Sequence, residues 1–213
     1  MKIISRSLLL IICLTVVAPS VASDQFLSDL EATRVVYLAA TEGDKKKVRK
    51  AIRAAKKLEN KYPQHPLVLA YKGGSLALRG MNIGKRPLDR MRETEEGLNI
   101  LDRTLRLLPR FKGDDVYAIE AKLVTAFVFV NLPDGVFHRL REGTHIIEQL
   151  LAYPKFKQLP QGMQAAIYLA AAISADSYQK PSEYMRYLKL TIDTDPDGRN
   201  GKDAKARLAA ITG

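Results

Sequence analysis

The sequence predicts an all-α protein, and three observations carry that expectation. Apolar residues recur every three or four positions through nearly all of the chain beyond residue 24. The breaks between these stretches fall at Pro and Gly, which punctuate helices. No segment alternates apolar and polar residues between turn signals as a half-buried strand would. The β-branched run 124–130 continues a helical pattern without a break and is read with it. Of the 213 residues, 46% are hydrophobic and 27% charged, which excludes disordered and collagen-like classes. A single cysteine excludes a disulfide-stapled scaffold.

The N-terminus reads as an export signal. Lys2 and Arg6 precede an apolar run over 8–18 broken only by Thr15, and Ser20-Val21-Ala22 supplies the small residues of a cleavage site. The run is shorter than the ~20 apolar residues that span a bilayer. Residues 1–22 are therefore expected to be a signal peptide cleaved near Ala22, and 23–213 a single helical domain. Cleavage would remove Lys2, Arg6 and Cys13, the one cysteine, leaving a chain that folds in an oxidising compartment without disulfides. The periplasm is the expected location, with secretion as the alternative.

Nine helices follow in order. The first, 24–41, carries Phe26, Leu27, Leu30, Val35 and Leu38 and stops at Glu42-Gly43-Asp44. The second, 45–62, places Val48, Ile52, Ala55 and Leu58 on one stripe and stops at Pro63. The third, 66–80, begins on Pro66, a residue suited to a first helical turn. The fourth, 88–108, ends at Pro109, and the apolar fifth, 115–131, at Pro133. The remaining helices are expected at 136–153, 161–177, 182–194 and 202–212. The residues 81–92 read as a polar insertion between paired helices, and the charge-mixed stretch 82–96 as a solvated connection that begins in a loop.

Pro63, Pro109, Pro154 and Pro196 recur at intervals of about 42–46 residues, each ending the second helix of a pair. Gly97, Leu101, Thr104 and Pro109 resemble the small-x3-large-x2-small-x4-Pro second helix of the tetratricopeptide repeat. Tyr184, Leu188, Thr191 and Pro196 match its last three positions, and Ala51, Ala55, Leu58 and Pro63 keep the spacing with large and small sites exchanged. Gly73 and Gly80 stand where the family's first helix has glycines. Each unit is roughly ten residues longer than the 34 of the family, and none has its tryptophan. The resemblance implies antiparallel helix pairs stacked as a short right-handed array, with a groove that binds proteins. First helices line such a groove, so it implies docking through Tyr71, Lys72 and Arg79 of the third helix and Tyr117, Glu120 and Lys122 of the fifth. The plainer reading of Tyr71 and Tyr117 is packing, with hydroxyls reaching the surface.

Chemical motifs are few. His65, His138 and His145 have no metal-ligand spacing. The run Asp193, Asp195, Asp197, Gly198 copies the start of a calcium loop, but position twelve is Ala204 where a bidentate Glu is needed. There is no Gly-x-Ser-x-Gly elbow and no phosphate-cradling glycine loop. Gly73-Gly74 inside an apolar stretch reads as close helix packing. No cofactor, no metal and no catalysis are expected.

Basic charge is the strongest feature. The formal net charge is +11, and the second helix holds Lys45, Lys46, Lys47, Arg49, Lys50, Arg53, Lys56, Lys57 and Lys61. A solvated helix face accounts for these cations by itself. As a functional surface, Lys46, Arg49, Lys50, Arg53 and Lys57 would face anionic lipid headgroups or an acidic protein; export removes the chain from nucleic acid, and no aromatic residue is interleaved for base stacking. The sequence therefore predicts a monomeric, non-catalytic interaction module of the bacterial cell envelope whose partner is another envelope protein or peptide. The alternative is an envelope enzyme or binding protein for an acidic polymer or anionic lipid headgroups, using the basic helix.

Overall fold

A computed structural model describes residues 20–82 and 86–212. Ten α-helices and two short 3-10 turns make up its regular structure, and no strand occurs among the described residues. The helices are α1 (Ser20–Ala40), α2 (Lys45–Lys61), α3 (Pro66–Asn82), α4 (Pro87–Leu107), α5 (Asp115–Asn131), α6 (Asp134–Phe137), α7 (Leu140–Leu151), α8 (Gln161–Ser177), α9 (Pro181–Thr194) and α10 (Arg199–Thr212). The expected signal segment lies outside the described residues up to residue 19. The expected cleavage point after Ala22 falls in the first turn of α1.

Local chemistry explains the starts and stops. Asp44 precedes α2 with its carboxylate accepting from the backbone N–H groups of Lys46 and Lys47, at 2.7 and 2.9 Å. Asp114 does the same for α5, accepting from Val116 N–H at 2.9 Å. These caps satisfy donors that have no partner inside a helix. Pro66, Pro87 and Pro181 each occupy a first helical position, where a missing N–H has no consequence.

The fourth expected helix is present as α4, whose polar first turns from Pro87 carry Asp89, Arg90 and Glu93. Arg86 and Arg92 pair with Asp89, and the Arg90 guanidinium donates to the carbonyls of Gly80 and Met81 at the end of α3. Ion pairing and end-capping thus order the polar first turns of this helix. The sixth expected helix is two. His138 adopts the left-handed region, at φ 54°, and Asp134 accepts from Leu140 N–H across the break. Arg139 then turns toward α4, bonding Asp102 and Glu142 at 2.6 Å each and lying over the Phe129 ring.

Helices adjacent in sequence pack as pairs: α1 on α2, α3 on α4, α5 on α7, and α8 on α9. The first members also touch in succession, α1 to α3, α3 to α5, and α5 to α8, while α10 lies on α8 and α9. Leu30, Leu67, Leu76, Leu101, Phe129, Ile147, Ile167 and Leu188 are fully buried along this line. The α3–α4 pair is the closest. A Cβ on Gly97 would stand 2.6 Å from both Ala77 N and Gly73 O, and one on Gly73 would stand 2.9 Å from Gly97 O. Only glycine on both helices lets these backbones approach so far, as the sequence reading of Gly73 anticipated.

The ends of the series are also joined. The Arg199 guanidinium, at the first residue of α10, donates to Leu38 O at 2.5 Å and Thr41 Oγ at 2.6 Å, at the end of α1.

Candidate functional site

The six side chains expected to line a docking groove have internal partners. Tyr71 is 2% exposed, packs edge-on against Tyr37 and donates its hydroxyl to Glu120. Glu120 is itself buried and accepts from both Nε and the second terminal nitrogen of Arg34, at 2.7 Å each. This bidentate pair ties α1 to α5, with α3 attached through Tyr71. The Glu120 carboxylate holds the guanidinium of Arg34 well above its ordinary range, whereas burial first and Glu120 second push the Tyr71 hydroxyl up. Both tyrosine and arginine therefore keep their protons throughout the accessible pH range.

The other four are closer to solvent but also engaged. Lys72 pairs with Glu59 at 2.7 Å, and Arg79 with Glu93 and Glu96 at 3.3 and 3.4 Å. Lys122 donates to Gln149 at 3.5 Å. Tyr117 is half-buried against the ring of Phe26, 5.5 Å between centroids. The group brings α1, α3 and α5 together, and it does so as packing and ion pairing.

Tyr117 belongs to an aromatic cluster that joins four segments. Phe26 of α1 meets Tyr62, His65 and Tyr117, and His65 meets Phe111 at 4.9 Å. Tyr62 donates to Asp29, as does Lys61 at 2.6 Å. His65 Nδ1 is buried without a hydrogen-bond partner among the described residues, and burial lowers the imidazole pKa. His65 thus takes a place among rings.

A cleft among the later helices was not anticipated. It has a volume of about 840 Å³ and opens between α7 and α9 over a floor from α8. Ile147 and Leu151 form one wall, and Ala171, Ala175 and the hydrogen-bonded pair Thr144–Ser174, 2.8 Å apart, form the floor. The rim carries Arg141, His145 and Glu148 from α7, and Tyr178, Lys180 and Glu183 from the turn into α9. Lys180 pairs with Glu183 at 3.3 Å; Arg141 is exposed, and Tyr178 is 43% exposed. A smaller cleft of about 370 Å³ lies between α4 and α7, lined by Asp102, Leu105, Arg106, Arg139 and Glu142. The second helices α4, α7 and α9 are therefore separated by clefts, while the first helices α3, α5 and α8 touch in succession. A sequence signal did exist. His138, Arg141, His145 and Glu148 recur at spacings of three, four and three, one polar helix face, which reads equally as plain solvation.

Lys45, Lys46, Arg49, Lys50, Arg53, Lys56 and Lys57 are all exposed on α2, opposite its buried Val48, Ala51, Ile52, Ala55 and Leu58. Lys47 is half-buried and bonds Glu42 at 2.5 Å. No group of three or more His, Cys, Asp or Glu stands ready to hold a metal ion among the described residues. No helix among them is long and apolar enough to cross a membrane. Compared with protein-family models, curated proteins and solved structures, the chain matches none.

Proposed function

We propose that the protein is an exported, periplasmic protein-binding module built on tetratricopeptide-like helix pairs, acting by recognition rather than turnover. The observation that carries this reading is the cleft between α7 and α9. Its volume lies within the range of about 300–1,000 Å³ typical of ligand sites. A floor of alanines beside the Thr144–Ser174 hydroxyl pair suits a small side chain with a polar edge. Rim groups of both signs suit a peptide backbone flanked by mixed charges. Tyr178 offers a ring for contact area and a hydroxyl for a directional bond.

The array reading has its own support. Helix pairs in chain order, with first helices touching in succession, follow the contact pattern of stacked repeats. The residues that resemble the repeat, Gly73, Gly97, Leu101 and Thr104, are buried at the α3–α4 junction. The groove itself moves from the third and fifth helices to the last two pairs, since Tyr71 and Glu120 are interior.

Capture of partners from cell-envelope extracts tests the proposal. The wild-type protein should retain one stoichiometric protein, and Arg141→Glu combined with Tyr178→Ala should lose it at an unchanged melting temperature. Turnover of a defined substrate by the purified protein, or wild-type capture of nothing, overturns the reading.

A further inference from the structure

The basic helix α2 has a property that its composition alone does not disclose: seven of its nine cations form no ion pair among the described residues. Helix α2 carries nine basic side chains and one acid, Glu59. The acids around it are already engaged. Glu42 takes Lys47, Asp29 takes Lys61, and Glu59 takes Lys72 of α3. The Asp44 carboxylate caps the helix. Lys45, Lys46, Arg49, Lys50, Arg53, Lys56 and Lys57 form no ion pair among the described residues.

Their geometry is that of a ridge. At about 100° per residue these seven side chains occupy an arc of about 140°, extending about 18 Å along the axis. The opposite arc is packed on α1 and α3. No large apolar side chain is exposed on α2. Tyr62, at its end, is half-buried and holds Asp29.

We infer that this face of α2 docks the protein on an anionic phospholipid surface, at headgroup depth and without insertion. A convex ridge of flexible cations fits a plane, which all seven heads reach together along their apolar stems. An acidic protein would have to supply a complementary trough to reach the same number. A single-stranded nucleic acid would lack the aromatic platforms on which bases stack. The missing apolar residues exclude the buried face of an inserting amphipathic helix, so attachment is electrostatic and reversible by salt. The inference is independent of the α7–α9 cleft, which lies on other helices.

The test is sedimentation of the protein with phosphatidylcholine vesicles, with and without phosphatidylglycerol. Each cation near an anionic bilayer contributes about fivefold to partitioning, equivalent to ~1 kcal/mol. Wild-type protein should bind only the phosphatidylglycerol vesicles, at low salt, and be released near 1 M salt, where screening acts over about 3 Å. Replacing Lys46, Arg49, Lys50, Arg53 and Lys57 together by Gln should weaken partitioning more than a hundredfold. Because these heads form no ion pair or hydrogen bond among the described residues, the thermal melt should stay unchanged. Tyr178→Ala should bind vesicles as wild type does, which separates this outcome from the fate of the cleft. Equal binding by the five-Gln variant, binding that survives high salt, or retention on poly-glutamate without any vesicle binding overturns the proposal.

Discussion

His65 stands where the α2–α3 connection meets Phe26, Phe111 and Tyr117, with Nδ1 buried and unpartnered among the described residues. Desolvation is the cause of its lowered pKa, so the folded protein favours the neutral ring. The unfolded chain then binds more protons below the ordinary imidazole value of about 6.5. The stability from this group is complete above that pH and is lost as pH falls through the lowered folded value. Thermal melts at about pH 7.5 and 5.5 should show a drop that His65→Phe reduces. An equal drop in both proteins would remove His65 as the source. The histidine's place was not legible in the sequence, because Tyr62-Pro63-Gln64-His65-Pro66 reads as a polar turn. All three rings around it come from segments distant in the chain. Tyr71 was half legible for the same reason. Its spacing marked a packed residue, but only the fold shows the Glu120–Arg34 pair that keeps its hydroxyl inside.

At the scale of elements, the α3–α4 junction sets a sign that helix propensity alone would give wrongly. Alanine for glycine inside a helix ordinarily stabilises by about 1 kcal/mol. At Gly97 the added Cβ meets backbone atoms of Ala77 and Gly73, which cannot swing away as a side chain can. Gly97→Ala should therefore destabilise, by roughly 1–3 kcal/mol as overpacking does, measured by denaturant melts. Gly135→Ala is the contrast, since nothing lies within 4 Å of its Cβ position; its change should be neutral or slightly stabilising. An unaltered midpoint for Gly97→Ala would mean that the helices relax apart freely. Most element boundaries were readable, because proline and the Asp caps act locally. The break at His138 was not, since it depends on Arg139 reaching Asp102 on another helix. The start of α4 was readable too, within a residue of Pro87, although ion pairs rather than an apolar stripe order its first turns.

For the whole molecule, pairing of sequence neighbours follows from short connections, so the helix order was legible while the spacing between pairs was not. The α7–α9 cleft arises from how far second helices stand apart, and no single residue encodes a separation. Arg199 is the clearest whole-molecule feature, with contacts 161 and 158 residues away in sequence. Arg199→Ala should cost about 1 kcal/mol or less at so exposed a site. It should nevertheless raise hydrogen exchange at the C-terminal turn of α1, and an unchanged exchange pattern there would show that the contact carries no coupling.

Stacked helical repeats ordinarily contact only their neighbours, so their terminal units fray independently and the chain melts from its tips inward. A bond from the tenth helix to the first closes a loop of some 160 residues, whose closure entropy grows only as the logarithm of its length. That entropy must be lost before the bond can form, so the clasp is a late event in folding. Once made, it joins the two ends of the helix series, so that fraying at the end of α1 and at the start of α10 loses the same contact.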